Sequence, residues 1–597
     1  MRSSVSHHDL KRRVQPSDWQ YLKRLLPYLW RQRRALWTAA LLFPLDALAG
    51  TLPPLLLGQM FDRGIALGDR RLLYAFAGLY LLSLLVEFAA GLTSEYLVTK
   101  LGQRALSEVR DDLFCHLQRL PLTYFSHTPV GKTVTRVTSD VEALGEIFAT
   151  GAISVVSDLL TLVSVVATML WLSPKLTAAA FLLVPLLLLV ATAAQKFARR
   201  AFIEIRKHLA GINAFLAEHI GVMSVVQIYG QQARTQAEFG QLNAAYRDAN
   251  HRAIATDATL YALVEAIGTG AVAATVAWGA GDLAAGGISA GVLIAFIQYI
   301  RRFFVPIRDL STKYTVLQGA FAAAERIFSL LGEPVTLTDA ADARAKADFS
   351  RAIRLEHVFF RFGDAREGDG RWILQDIDLT IHKGERIGLV GPTGSGKTSL
   401  LGLLNRTYDV TEGAITIDGD DVRALRLADV RRLFAVVLQD PSLFQGSLRE
   451  NLRLADRMQP ASIERALAAV EADAIVAARP GGLDADVGIG GERLSAGERQ
   501  VLSLARALAL EAPILLMDEA TSHVDTPTEA RLQQAIESVM EGRTAVIVAH
   551  RLSTIRRVDR VLVLDGGRIV QQGPPDVLAA EDGPFRRLIE QSDAAGE

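Results

Sequence analysis

Apolar residues are distributed unevenly along the 597-residue chain. Nearly all the long hydrophobic stretches lie before about residue 330, and polar segments separate them. A helix needs about 20 apolar residues to cross the hydrocarbon core of a bilayer. Six stretches approach that length, at residues 35–58, 71–97, 146–171, 175–197, 257–281 and 287–309. The pattern predicts an all-α membrane domain of six helices over residues 35–330.

The polar connections between the six stretches alternate in length. Residues 62–70, 172–174 and 281–286 form short turns, whereas residues 99–145 and 198–256 form long, helix-like connections. Lysine and arginine are concentrated in the long connections, and such residues accumulate on the cytoplasmic side of membrane proteins. We therefore expect both long connections and both chain termini to lie in the cytoplasm.

Residues 1–34 form a polar N-terminal region before the first stretch. From Trp19 to Trp30, aromatic and leucine residues alternate with bases, which is typical of a helix lying in the headgroup plane of a membrane. The alternative is that this segment is the polar start of the first membrane helix. Pro27 and the basic run at residues 31–34 interrupt the apolar pattern and favour the interfacial helix.

A change of composition marks a second domain. Residues 331–350 contain Gly332, Glu333 and Pro334 and then mostly alanine and aspartate, which predicts a linker. In the domain at residues 351–597, apolar residues alternate at 353–359 and 414–418, as in strands with one polar face. Continuous apolar runs predict buried strands at residues 386–390, 435–438, 514–517 and 545–549. Helical stretches separate these strands, so the domain is predicted to be α/β.

Composition and charge narrow the classes of function. Hydrophobic residues make up 50% of the chain, which is high for a soluble multidomain enzyme and agrees with a lipid-embedded part. The formal net charge is −1, so no overall field favours binding to nucleic acid. Cys115 is the only cysteine, which excludes an internal disulfide, and no Cys or His cluster has the spacing of a structural metal site.

A glycine-rich run directly follows the predicted strand at residues 386–390. It completes the phosphate-loop pattern G-x-x-x-x-G-K-[ST]. The glycines let successive N–H groups point at one anion, and a helix beginning near Lys397 adds its positive end. The loop is expected to bind a polyphosphate, with Lys397 neutralising the β- and γ-phosphates and the Thr398 hydroxyl ligating Mg²⁺. The candidate nucleotide-binding residues are Gly391, Pro392, Thr393, Gly394, Ser395, Gly396, Lys397, Thr398 and Ser399.

Two carboxylates end the predicted strand at residues 514–517. Asp518 is placed to hold Mg²⁺, and Glu519 can accept a proton from the water that attacks the γ-phosphate. The two acids could instead be solvated residues at a strand end, but the phosphate loop upstream favours a nucleotide hydrolase.

The segment Leu494-Ser-Ala-Gly-Glu-Arg-Gln500 lies shortly before the strand of Asp518. It resembles the signature motif LSGGQ of ATP-binding cassette (ABC) proteins. In that family the motif begins a helix whose N-terminus binds the γ-phosphate of the nucleotide held by a second subunit. The resemblance implies that Ser495 and Gly497 contact the ATP of a partner chain. The phosphate loop and signature of one chain cannot meet, so a dimer is expected.

Four further segments follow in the order of the ABC family. Gln439 resembles the glutamine that senses Mg²⁺ and the transport domain, and Phe362 the aromatic that stacks on adenine. Asp525 lies in a segment that resembles the D-loop, and His550 resembles the switch histidine that contacts the γ-phosphate. The family resemblance therefore implies catalytic roles for Glu519, His550 and Gln439, and Mg²⁺ contacts for Thr398, Gln439 and Asp518.

The membrane part shares the resemblance. Residues 125–141 and 212–226 look like the two cytoplasmic segments of bacterial half-size exporters, which hold short coupling helices against the ATPase. The implied protein has a six-helix exporter domain followed by an α/β phosphate-loop ATPase domain. It would sit in the bacterial cytoplasmic membrane, pair with a second half transporter as a homodimer or heterodimer, and use ATP and Mg²⁺ to move small amphipathic molecules such as drugs or lipids.

Two positions depart from the family's signature motif. Ala496 replaces a usual glycine and Glu498 a usual glutamine, so a methyl group and a carboxylate approach the phosphate. The methyl group is tolerated only if the backbone at Ala496 does not need a positive φ. Because Glu519 is retained, the site on this chain's own phosphate loop is expected to hydrolyse ATP.

Ionisable residues inside membrane helices often have a function. This draws attention to four acids in the predicted helices, Asp46, Glu87, Asp158 and Glu265. An acid facing a cavity would favour cationic substrates, but pairing with residues on neighbouring helices, or a position toward the membrane interface, explains these acids at least as well. Two other classes of function stay open at this point, a nucleotide-gated channel or receptor and a soluble-type ABC ATPase acting on nucleic acid. The six apolar stretches and the absence of a basic stripe speak against the latter.

Overall fold

The computed structural model describes residues 18–147, 152–346, 348–362, 371–454, 458–518, 526–549 and 552–594. Two compact units are present. The first contains residues 1–118 and 130–333, and the second contains residues 119–129 and 334–597.

Helices build the described part of the first unit. In chain order they are α1 Asp18–Trp30, α2 Arg33–Ala49, α3 Leu52–Gln59, α4 Arg70–Leu117, α6 Val130–Thr135, α7 Val141–Glu146, α8 Ala152–Leu172, α9 Pro174–Phe181, α10 Val184–Gly221, α11 Met223–Ile228, α12 Gln232–Ala284 and α13 Ala290–Leu331, while α5 Leu122–His127 groups with the second unit. Segments of π-helix occur at Met60–Ile65 and Arg136–Asp140. One buried cluster of the first unit lies between α8, α9, α10, α12 and α13, with Phe296 and Tyr299 fully enclosed.

Four helical stretches among the described residues are long and apolar enough to cross a membrane. They are Arg33–Ile65, Arg70–Leu117, Val155–Leu172 and Gln232–Ala284. The predicted stretch at 175–197 is broken after Phe181, and α10 begins with Pro185 in its first turn. Proline lacks an N–H and tolerates only the start of a helix, which places the break there. The number of six membrane spans stays a prediction.

One face of the N-terminal helix α1 packs against the rest of the first unit. Leu25 is buried, whereas Leu26 and Trp30 are exposed. The hydroxyl of Tyr28 donates to Asp112 at 2.9 Å, and Arg31 pairs with Glu108 at 2.9 Å. Exposed apolar side chains beside bases are what an interfacial helix requires.

Two of the acids predicted inside membrane helices form ion pairs. Arg302 on α13 donates to both oxygens of Glu87 on α4, at 2.9 and 3.2 Å. Lys313, also on α13, pairs with Asp158 on α8. For these two acids the structure has the pairing arrangement rather than an acid left free for a cationic substrate.

The second unit contains two sheets and surrounding helices. Its strands are β1 Ala352–Phe360, β2 Leu374–His382, β3 Arg386–Val390, β4 Glu412–Ile417, β5 Asp420–Asp421, β6 Phe434–Val437, β7 Ile514–Asp518, β8 Thr544–Val548, β9 Arg560–Asp565 and β10 Arg568–Gly573. Its further helices are α14 Lys397–Leu404, α15 Leu427–Arg432, α16 Leu448–Leu452, α17 Pro460–Ala469, α18 Asp473–Ala477, α19 Ala496–Ala509, α20 Thr526–Met540, α21 Leu552–Ile555, α22 Pro575–Ala580 and α23 Pro584–Ala594. Short 3₁₀ turns lie at Val422–Ala424, Gly482–Asp484 and Ile489–Gly491.

Both kinds of predicted strand occur. An antiparallel sheet has the order β2-β1-β4-β5, and a mixed sheet has the order β10-β9-β3-β8-β7-β6, in which only β10 is antiparallel. Alternate residues of β7 face opposite cores: Ile514 and Leu516 pack in one cluster, and Leu515 and Met517 in the other. Burial on both faces explains the continuous apolar run, and the α/β fold class is confirmed.

The predicted linker is partly docked on the second unit. The backbone of Arg344 exchanges two hydrogen bonds with the 422–426 segment, at 2.9 Å each. The buried guanidinium of Arg406 donates to the carbonyl of Thr338 at 3.4 Å, and the Lys346 ammonium pairs with Asp418 at 3.4 Å. These contacts extend the ordered structure of this unit to before residue 351.

Candidate nucleotide-binding site

The glycine-rich run forms a tight loop between β3 and α14. Gly391, Gly394 and Gly396 have φ angles of +149°, +82° and +103°. Residues other than glycine rarely adopt such backbone angles. A Cβ at Gly391 would also lie 2.1 Å from the carbonyl oxygen of Leu564, so the loop can take this path only with glycine there. The backbone geometry is that of an anion-binding concavity at a helix N-terminus.

Two polar side chains of the loop, those of Ser395 and Lys397, are buried. Lys397 is only 7% exposed, and its ammonium donates to the carbonyls of Gly391 at 2.7 Å and Pro392 at 3.0 Å. Burial lowers the pKa of Lys397, and the charge of Asp518 partly opposes that shift. The Ser395 hydroxyl is buried and lacks a hydrogen-bond partner among the described residues. A polyphosphate, rich in acceptor oxygens, fits this set of donors.

The first residues of α14 and the end of β7 bring two oxygen ligands together. The Thr398 hydroxyl donates to Asp518 Oδ2 at 2.9 Å, although the residues are 120 positions apart in sequence. A hydroxyl beside a carboxylate is the oxygen donor set that Mg²⁺ takes next to substrate phosphates. The chemistry of the two side chains therefore fits a magnesium ion.

The mixed sheet brings the carboxyl ends of three strands together. Leu389 of β3 pairs with Val548 of β8, and Asp518 of β7 pairs with the same Val548. Neighbouring β6 ends at Val437, and Gln439 follows it as an exposed residue. The predicted residues Glu519, Asp525 and His550 lie outside the described residues. Ligands of parallel sheets bind at this edge.

Phe362 lies in a small aromatic cluster. Its ring is 4.9 Å from Phe360 and 5.3 Å from Tyr408, with ring planes at 79° and 82°. The side chain is partly buried against the core. Edge-to-face packing fixes the orientation of Phe362.

The signature segment caps α19. The Ser495 hydroxyl accepts from the Glu498 N–H at 3.2 Å, and the Ser495 N–H donates to Glu498 Oε2 at 2.8 Å, which forms a capping box. Ala496 is the first helical residue, so its backbone does not need a positive φ and the methyl group is tolerated. Gly497 is buried in the first turn.

Arg479 lies outside the signature segment but contacts it, and the sequence analysis did not predict this residue. Its guanidinium donates to both oxygens of Glu498 at 3.0 Å. Burial raises the pKa of Glu498, but the Ser495 N–H and Arg479 outweigh burial and leave the pKa lowered. The sequence signal that could have indicated a partner such as Arg479 is the carboxylate of Glu498 in place of the usual amide, because a partly buried charge is costly unless an opposite charge pairs with it.

Comparison with known proteins identifies the chain. The family model described as the ABC transporter transmembrane region matches residues 36–307, and the family model described as ABC transporter matches residues 374–522. A probable multidrug resistance ABC transporter ATP-binding/permease protein, YheH of Bacillus subtilis, is 35% identical over 87% of this chain and 76% of its own length. The chain belongs to the ABC transporter family.

Two further relatives describe the type of ABC transporter. An ATP-dependent lipid A-core flippase of Thiobacillus denitrificans is 32% identical over 96% of this chain and 98% of its own length. The solved structure of a bacterial Atm1-family ABC exporter with ATP bound covers 94% of this chain and 98% of its own, with 25% identity and a TM-score of 0.76. This ABC transporter is a membrane protein that binds nucleotide and couples ATP hydrolysis to export across a membrane.

Proposed function

We propose that this ABC transporter exports hydrophobic or amphipathic small molecules, drugs or lipids, from the bacterial cytoplasmic membrane. The union in one chain of a complete phosphate loop with apolar helices long enough to span a bilayer carries the proposal. The relatives named for multidrug resistance and for lipid A-core flipping support this substrate class. Pairing of Glu87 with Arg302 also supports it, because paired charges leave the bundle interior suited to molecules with little net charge.

The proposed nucleotide site assigns a role to each residue. The phosphate-loop residues 391–399 and Lys397 bind the ATP phosphates, and Phe362 stacks on adenine. Thr398, Asp518 and Gln439 would hold Mg²⁺, which when bound neutralises phosphate charge. Glu519 accepts the proton of the attacking water and His550 contacts the γ-phosphate. Ser495 and Gly497, with Asp525, complete the site of a second subunit.

The proposed assembly is a homodimer with both termini in the cytoplasm. One chain offers the phosphate loop, Asp518 and a well-formed signature helix, so two copies are sufficient to build two sites. ATP binding would draw two ATPase domains, residues 351–597, together, and hydrolysis would release them. Six spans within residues 35–330 would then expose a cavity alternately to the two sides of the membrane, with residues 1–34 and 331–350 as the flanking segments.

A mutational assay in lipid nanodiscs tests the proposal. The chain is expressed alone, and ATP turnover and transport of fluorescent amphipathic compounds are measured. Glu519→Gln is expected to lower turnover by at least about 100-fold and to stop transport, since removing one catalytic group typically costs 10²–10⁴-fold. The matched Glu541→Gln control, at an exposed position, keeps both activities.

Three results would contradict parts of the proposal. Turnover that persists in Lys397→Ala contradicts the assigned phosphate site. Substrate flux that continues in Glu519→Gln contradicts coupled export and favours a gated pore. Hydrolysis that requires a different second chain contradicts the homodimer.

A further inference from the structure

The ion pair of Arg479 and Glu498 lies at the N-terminus of α19. Arg479 follows α18, and its guanidinium is also anchored to the Ile475 carbonyl, 2.7 Å away. The Arg479 side chain is 17% exposed, and that of Glu498 is 31% exposed. Arg479 donates one hydrogen bond of 3.0 Å to each carboxylate oxygen of Glu498, so the pair fixes the orientation of the carboxylate as well as balancing its charge. The anchor on Ile475 holds the guanidinium independently of Glu498.

A carboxylate at the third helical position has two opposite effects. It caps the Ser495 N–H and stabilises the helix. It also places a negative charge in the first turn, where unpaired N–H groups and the helix dipole otherwise attract an anion. Without a counter-charge, Glu498 would oppose any phosphate that approaches Ser495 and Gly497.

We propose that Arg479 is a positioning residue that turns the Glu498 carboxylate back onto the Ser495 N–H and cancels its charge, so that the signature helix accepts the γ-phosphate of ATP. This role rests on the proposed function of Ser495 and Gly497. Arg479 itself does not touch the nucleotide. It makes an acidic residue compatible with a phosphate-binding helix N-terminus.

The alternative is that Arg479 only stabilises the fold around α18 and α19. The two roles differ in a testable way because glutamine also forms a capping box. Glu498→Gln removes the charge and keeps the cap, so charge cancellation is no longer needed in that background. A purely structural Arg479 would be needed equally in both backgrounds.

The test is a double-mutant cycle on the transporter in nanodiscs, with KM for ATP, kcat and thermal unfolding measured. Arg479→Met is expected to raise KM about tenfold, equivalent to ~1.4 kcal/mol. Glu498→Gln alone is expected to stay within about twofold of wild type, and Arg479→Met with Glu498→Gln to return KM to within about twofold. Arg479→Lys, which keeps the charge, is expected to show a smaller increase than Arg479→Met.

Three outcomes overturn this role. A double variant as impaired as Arg479→Met, an Arg479→Met with unchanged KM, or loss of folded transporter in both backgrounds each shows that Arg479 does not act by cancelling charge. Lys397→Ala separates this inference from the proposed function. Turnover that survives Lys397→Ala contradicts the proposed function and this role together, and so does a wild-type transporter that shows no turnover either alone or with a second half transporter. Lys397-dependent turnover without rescue contradicts the role alone.

Discussion

Gly394 is the position at which the phosphate loop can be strained without a steric clash. Its φ is +82°, and a Cβ added there meets no atom within 4 Å. Gly394→Ala therefore imposes one cost only, the unfavourable left-handed backbone. That cost is about 1–2 kcal/mol for a residue with a side chain.

The backbone cost of Gly394→Ala is expected to weaken nucleotide binding. Since Gly394 lies on the exposed face of the loop, the nucleotide-free loop can relax by rotating its peptide planes. Binding of phosphate then has to restore the positive φ, and the relaxation energy is lost from the binding free energy. A cost of 1–2 kcal/mol corresponds to an affinity decrease of about 5- to 30-fold.

A matched control exists in the turn between β4 and β5. Gly419 has a φ of +95°, and a Cβ there also meets nothing within 4 Å. Gly419→Ala carries the same backbone cost but lies outside the proposed nucleotide site, so it is expected to leave affinity unchanged. Fluorescent ATP titration of the transporter in nanodiscs measures both variants. A Gly394→Ala affinity within twofold of wild type, or an equal loss in Gly419→Ala, would refute the reasoning.

The carboxylates of Asp418 and Asp140 are each expected to contribute to folding stability. Burial raises the pKa of Asp418, but hydrogen bonds from the three backbone N–H groups at 350–352 outweigh burial, so the pKa is lowered. The ionised Asp418 carboxylate therefore stabilises the folded state above about pH 4, and this contribution is lost as the pH falls through the pKa of the folded state. Asp418→Asn is therefore expected to lower unfolding stability at pH 7 and to approach wild type near pH 3, and a pH-independent difference in denaturation would contradict this. Arg326 donates to both oxygens of Asp140, at 2.9 and 2.6 Å, and Arg326→Ala leaves that buried carboxylate without its guanidinium. Because Arg326 is partly exposed, we expect Arg326→Ala to lower the free energy of unfolding, measured by thermal denaturation, by about 1–2 kcal/mol. Arg247→Ala removes one partner of an exposed ion pair and serves as the control, for which little change is expected. Equal losses in the two variants would contradict this prediction.

Local patterns allowed much of the second unit to be predicted from sequence. The phosphate loop, the helix from Lys397 and the buried strands at 386–390 and 514–517 were readable because glycine spacing and apolar runs act within a few residues. Strand β10 was missed because it is partly exposed and half of its six residues are polar, so only pairing with β9 defines it. Strand β2 was missed although its alternate residues are buried, and its pairing with β1 defines it.

The sequence by itself determined the class of chemistry, since the residue types of the phosphate loop and of Asp518 fit only a few ligands. Tertiary structure decided which side chains meet. Thr398 reaches Asp518 because β3 and β7 flank β8. Arg479 reaches Glu498 because α18 packs, through its partly buried residues Ile475 and Val476, against the core that contains α19. Those contacts depend on strand order and helix packing, which the folded core fixes through many distant apolar contacts and which no local pattern of residues encodes.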